Sequence, residues 1–97
     1  MFYCYILYSP STDVFYKGQT ADIRQRVLRH NAGFEKSTSS GRPWKMLWYT
    51  SKSTRSEAIV LESKLKNLSR KKLIQFMLKY DEGIVDGEMD TIVKFEP

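Results

Sequence analysis

The sequence predicts a small α/β domain of the α+β kind, in which helices flank a three-stranded, mainly antiparallel sheet. Three observations indicate this class. The 97 residues allow one core, three short runs are rich in strand-forming residues, and three helix-starting signals stand among them. The resulting element order is β-β-α-β-α-α.

The strands are predicted from aromatic and aliphatic runs. Residues 2–9, FYCYILYS, are apolar on both faces, which is typical of a strand covered on both sides. The turn sequence PSTD separates this run from VFYKGQ, residues 14–19, and together they predict a hairpin. A third run, WKMLWYTS, occupies residues 44–51.

The first two helices are predicted from residues that can cap them. Thr20 can accept a hydrogen bond from the first turn of a helix over about residues 21–31. Thr54 and Glu57 form a capping box, TRSE, which predicts a helix over about residues 55–68.

The C-terminal part divides by composition. Ser69 is expected to cap a last helix over residues 70–80. The remainder is acidic, and we expect it to add a short strand or to stay loose. The predicted organisation is one domain over residues 1–80 and an acidic extension over residues 81–97.

Charge is unevenly distributed. Residues 1–80 hold 15 Lys and Arg against 5 Asp and Glu, whereas residues 81–97 hold 1 Lys against 6 Asp and Glu. A basic body is expected of a domain that binds a polyanion, with the acidic tail shielding the basic face or aiding solubility. A solvated surface without a partner is the alternative that charge alone leaves open.

Cysteine content and the N-terminal run exclude several classes. Cys4 is the only cysteine, so an internal disulfide bond cannot form and a structural zinc site is not expected. The apolar run MFYCYILY is too short to span a membrane and follows no basic leader. We expect a cytoplasmic protein without a membrane partner.

Polar residues stand on the inner side of the first helix. Ile23 and Val27 face the core, and Arg26 and His30, four residues apart, lie on the edge of the same stripe. One interpretation is a half-buried arginine whose stem covers the core. The other is a ligand site at the strand–helix turn, where Tyr16 stands two residues before a glycine and a helix N-terminus favours an anion.

Glu62 lies within the apolar stripe of the second helix, beside Ala58, Leu61 and Leu65. A carboxylate there needs a cation or several hydrogen bonds, because an unpaired buried charge is costly. A structural salt bridge, for which Arg26 is the expected partner, and a hard metal ion are both open.

Taken in order, these residues resemble the GIY-YIG endonuclease domain, most closely its short, stand-alone bacterial members. The two signature elements align with residues 3–5, YCY, and residues 16–18, YKG, and the spacing to Arg26, His30 and Glu62 also fits. The sequences GRPW and SRKKL are typical of the short members as well.

The resemblance implies a role for each matched position. Tyr16 would be the general base or would orient the attacking water, with its pKa lowered by Arg26 and a metal. Tyr5 would support the nucleophile or the phosphate, Arg26 would bind the scissile phosphate, and Glu62 would hold one Mg²⁺ or Mn²⁺ ion. His30 matches a histidine that some members share.

Two positions depart from the family pattern. Tyr3 stands where the name-giving glycine would be, and Lys17 replaces an apolar residue between Tyr16 and Gly18. Lys17 either packs inward and distorts the site or lies at the sheet edge and adds charge near nucleic acid.

The resemblance therefore implies a metal-dependent endonuclease that hydrolyses DNA, in repair or recombination, with RNA as an alternative substrate and with specificity that is weak or supplied by a protein partner. Other interpretations are an inactive nucleic-acid-binding module and a protein-interaction scaffold. The basic residues expected to follow the phosphate backbone are Lys17, Arg42, Lys45, Lys64, Lys66, Arg70, Lys71 and Lys72.

Overall fold

An antiparallel sheet in the order β2-β1-β3 forms the centre of the molecule. The computed structural model describes residues 1–36 and 38–95. The strands are β1 (Phe2–Ser9), β2 (Val14–Thr20) and β3 (Lys45–Lys52); the helices are α1 (Ile23–Ala32), α2 (Arg55–Lys66), α3 (Arg70–Lys79) and α4 (Met89–Val93). Up to α3 this is the predicted class and order, and α4 is added after it.

The central strand is buried on both faces, as its sequence predicts. Because side chains alternate along a strand, Ile6 faces one side and packs with Leu65 of α2 and Leu73 of α3. Tyr5 faces the other side, where Val27 of α1 packs against the same cluster. The sheet is therefore covered by α2 to α4 on one face and by α1 on the other.

The helix starts were predicted correctly except at α1. Thr54 and Ser69 cap α2 and α3, each accepting a hydrogen bond from the backbone three residues on. α1 is capped by Asp22, whose Oδ1 accepts from the Gln25 N–H at 3.1 Å. The prediction of Thr20 was wrong because the ladder with β1 continues through Thr20, which leaves it in the extended strand.

The C-terminal segment packs on the sheet as far as it is described, to residue 95. Its backbone forms an isolated antiparallel β-bridge with β3, Ile84 opposite Trp48, where the Val85 N–H donates to the Leu47 carbonyl at 2.9 Å. Ile92 of α4 is fully buried in the main core, and the Phe95 ring lies 4.9 Å from that of Tyr8. The segment therefore does not stay loose, because Ile92 and Phe95 anchor it. Of the expected short strand, the structure has one isolated β-bridge, between Ile84 and Trp48.

Among the described residues, no helix has the length and apolar character needed to cross a membrane.

Candidate active site

Two tyrosines and the single histidine meet on the α1 face of the sheet. The rings of Tyr5 on β1 and Tyr16 on β2 stack at 6.3 Å between centroids with 25° between their planes. The His30 ring of α1 stands edge-on to Tyr16 at 4.8 Å. Strand pairing and the inner side of α1 thus bring together three of the residues that the sequence analysis selected.

Gly18 makes room for this arrangement. It lies opposite Tyr5 in the β1–β2 ladder, and a Cβ atom built on it would lie 2.6 Å from the Tyr5 hydroxyl oxygen. Any other residue would displace the Tyr5 ring, so the glycine after Tyr16 serves the buried tyrosine on the neighbouring strand.

A buried hydrogen-bond chain fixes the histidine. The Tyr5 hydroxyl lies 3.1 Å from His30 Nε2, and His30 Nδ1 lies 2.9 Å from Thr38 Oγ1. Thr38 donates its one hydroxyl hydrogen to the Glu35 carbonyl at 3.3 Å, so it accepts from His30 Nδ1. His30 Nε2 then accepts a hydrogen bond from the Tyr5 hydroxyl group.

Sequence reasoning missed Thr38, which is 1% exposed. It lies in a Ser- and Thr-rich loop where no local pattern separates it from its neighbours. The Trp44 indole N–H donates to the Thr38 carbonyl at 2.7 Å. Thr38 is therefore held through its carbonyl by Trp44 and through its hydroxyl by His30.

Burial is the largest influence on the pKa values of the three clustered side chains. It raises the pKa of Tyr5 and of Tyr16, and it lowers the pKa of His30. The Arg26 charge lowers the pKa of both tyrosines but does not outweigh burial. The Arg26 charge acts on the Tyr16 pKa in the expected direction, but burial outweighs it in the protein alone. The combined effect of Arg26 and a metal stays a prediction.

Glu62 reaches the cluster electrostatically from α2. Its carboxylate contributes to the raised pKa of both Tyr5 and Tyr16. Its ion-pair partner is Lys66, 3.8 Å away one helical turn later, rather than the expected Arg26. The side chain is 21% exposed, so the carboxylate keeps access to solvent.

The donor set around Glu62 fits one kind of metal ion. Among residues 1–36 and 38–95, no three His, Cys, Asp or Glu side chains cluster in a way that could hold a metal. A single accessible carboxylate suits Mg²⁺ or Mn²⁺, since such an ion keeps several waters and takes further oxygens from a substrate phosphate.

Several of the predicted phosphate-tracking residues are engaged with the protein. Arg70 binds Asp13 at 2.9 Å and lies over the rings of Phe15 and Phe95. Lys45 pairs with Glu88 at 3.1 Å.

The remaining residues of the predicted phosphate-tracking surface differ in exposure and in their contacts with the protein. Arg42 donates to the Ser39 carbonyl at 2.8 Å, while Lys64, Lys71 and Lys72 are exposed. Lys17 is half-buried opposite Ile6 and so lies on the α2 face. Burial, and then the nearby charge of Lys66, lower the pKa of Lys17.

The fold is a small α+β domain with a cluster of two tyrosines and a histidine on one face of its sheet. Residues 1–75 match the family model described as the GIY-YIG catalytic domain. The chain therefore belongs to the GIY-YIG family of nuclease domains.

The chain is similar to UPF0213 proteins of bacteria. A UPF0213 protein of Listeria monocytogenes is 37% identical over 74 residues, covering 75% of this chain and 83% of the relative. One of Pediococcus acidilactici is 32% identical, covering 78% and 80%. The solution NMR structure of a UPF0213 protein from Bacillus halodurans aligns with a TM-score of 0.52 at 30% identity, covering 79% of this chain and 83% of that one.

Proposed function

We propose that the protein is a metal-dependent endonuclease that hydrolyses phosphodiester bonds in DNA. The observation that carries this proposal is the packing of Tyr16 against both Tyr5 and His30, within the electrostatic reach of Arg26. In a GIY-YIG chain, this supports a site at which one phosphate would contact both the phenol and the guanidinium.

Burial separates the residues that touch substrate from those that position them. Tyr5 and His30 are 0% and 1% exposed, so they act by holding the Tyr16 ring. Tyr16 and Arg26 are partly exposed and make the contacts with the substrate. Glu62 would hold the divalent ion.

Hydrolysis needs a placed water and stabilisation of the charge that develops on the phosphate. Tyr16 is protonated before substrate binds, so its hydroxyl orients the water through a hydrogen bond. The Arg26 guanidinium donates to the non-bridging oxygens, whose charge grows in the transition state. When bound, Mg²⁺ or Mn²⁺ would act as a Lewis acid on a phosphate oxygen.

The proposed reaction breaks the bond between phosphorus and the 3′ oxygen. The water oxygen bonds to phosphorus and the water loses one proton, while the P–O3′ bond breaks and the 3′ oxygen gains one. The products are a 5′-phosphate and a 3′-hydroxyl.

The direct test measures binding and nicking of supercoiled, branched and single-stranded DNA, and of matched RNA, with Mg²⁺ or Mn²⁺. Tyr16→Phe and Arg26→Ala should each lower the cleavage rate by about 10²-fold or more, because each removes a transition-state contact. Thermal unfolding of both variants should resemble that of the wild type. Wild-type rates in folded variants would refute the assignment.

The alternatives give different results in the same assay. Salt-dependent binding without cleavage would identify an inactive nucleic-acid-binding module. Absence of binding at low salt would favour a protein-interaction scaffold.

A further inference from the structure

A basic cavity lies beside the tyrosine cluster, between α1 and the start of α2. Its volume is about 290 Å³, and the residues that line it include Arg26, Arg29, Arg55 and Gln19. Arg26 thus borders both the proposed catalytic cluster and this cavity, while Arg55 comes from a different helix.

Two of the three arginines that line the cavity have no ion-pair partner among the described residues. The one acidic residue of the wall, Asp22, accepts the Gln25 N–H as the cap of α1. Arg29 is paired with Glu35 at 3.2 Å. In the part of the chain that the structure describes, no ion pair engages Arg26 or Arg55, and the Arg55 guanidinium rests 5.1 Å from the Phe2 ring centroid.

Gln19 contributes a polar side chain to the lining of the cavity. Its Oε1 atom is buried, and no hydrogen-bond partner reaches it from residues 1–36 and 38–95. An unsatisfied buried polar atom is costly. If the amide turns toward the cavity, its NH₂ group can donate to a ligand that carries hydrogen-bond acceptors.

We propose that this cavity binds the backbone phosphate next to the scissile one. The inference rests on the proposed function, which gives Arg26 the scissile phosphate. Arg55 would then bind the neighbouring phosphate by charge-assisted hydrogen bonds, and the Gln19 amide would donate to the same group. Because these contacts are to the backbone, they position the strand without reading its sequence.

The first experiment measures how binding of a short DNA duplex varies with salt, without divalent metal. Arg55→Gln should reduce the slope of log affinity against log salt by about 1, as expected for one lost phosphate contact. Arg24→Gln is the matched control, since it removes an arginine of α1 that lies outside this cavity. The control should reduce the slope less than Arg55→Gln does.

The second experiment locates the contact on the DNA. Single uncharged methylphosphonate groups are placed along one strand. At the position next to the cleaved bond, this substitution should weaken binding by the wild type and have little effect on Arg55→Gln. Gln19→Glu should also weaken binding, because it directs a negative charge at the phosphate.

The outcomes separate the two proposals. If the wild type binds DNA but Arg55→Gln matches Arg24→Gln in both experiments, the cavity proposal fails while the nuclease proposal stands. If Gln19→Glu strengthens binding, the cavity prefers a cation and the proposal also fails. If the wild type does not bind DNA at all, the proposed function fails first.

Discussion

His30 makes the stability of the protein sensitive to pH near neutrality. Burial lowers its pKa from the ordinary value, so the unfolded chain binds a proton more readily than the folded one. Stability is therefore full above the unfolded pKa of about 6.5 and falls as pH drops through it toward the lower folded value. Protonation also removes the Nε2 acceptor of the Tyr5 hydroxyl.

The chain has one histidine, so this dependence can be isolated. We expect the wild-type melting temperature to fall between about pH 7 and pH 5, and that of His30→Gln to change less over the same window. The measurement is calorimetry at matched ionic strength, with the folded pKa taken from an NMR titration of the imidazole. Parallel curves for the two proteins would contradict the prediction.

Glu62 provides a test in which function and stability change differently. Glu62→Gln keeps the shape and removes the charge, so metal-dependent cleavage should be lost. Its solvent-accessible ion pair with Lys66 contributes about 0.5 kcal/mol or less to the free energy of unfolding. The metal-free variant should therefore be about as stable as wild type.

Calorimetry with and without Mn²⁺ distinguishes the two roles of Glu62. The ion should raise the wild-type melting temperature and leave that of the variant nearly unchanged. A loss of several degrees in the metal-free variant would instead identify a structural salt bridge.

At the scale of elements, Arg70 joins the start of α3 to the β1–β2 hairpin. It donates to the Asp13 carboxylate and backbone and lies over Phe15 and Phe95. Arg70→Ala should lower the free energy of unfolding by about 1 kcal/mol, mainly through lost packing and cation–π contacts. Lys71→Ala, exposed on the same helix, is the control.

Denaturant unfolding and DNA binding together decide what Arg70 does. Lost stability with unchanged DNA affinity would make it a structural residue. The reverse result would support its predicted place on the phosphate-tracking surface.

How far the sequence predicted each element depended on whether its cause was local. The caps Thr54 and Ser69 were found because a cap bonds within three residues of itself. Thr20 was chosen wrongly because the length of β2 is set by pairing with β1, which a helix-start pattern does not contain. Thr38 was missed because its partner His30 is identified only by the fold.

At the scale of the whole molecule, the acidic segment is both part of the core and a source of charge. Ile92→Ala should destabilise the protein by about 2–4 kcal/mol, since it empties a fully buried site. Deleting residues 81–97 would confound this loss with any electrostatic effect. The electrostatic effect is better tested by neutralising exposed acidic side chains.

We therefore expect the combined change of Asp81, Asp86 and Asp90 to asparagine to raise DNA affinity at low salt. The gain should shrink as ionic strength rises, because screening weakens repulsion between exposed charges and DNA. Unfolding measurements should show a fold as stable as the wild type. Equal affinity across a salt titration would show that the segment does not oppose DNA binding.

The bond between His30 and Thr38 couples two parts of the molecule. The Thr38 hydroxyl and carbonyl hold the loop after α1, and the same hydroxyl fixes the ring against which Tyr16 packs. Ordering the loop and orienting the phenol are therefore linked equilibria, and the coupling free energy between them is the same in both directions. A DNA strand bound at the loop would thus favour the fixed orientation of the Tyr16 phenol. A strand bound at Tyr16 would in turn favour the ordered loop.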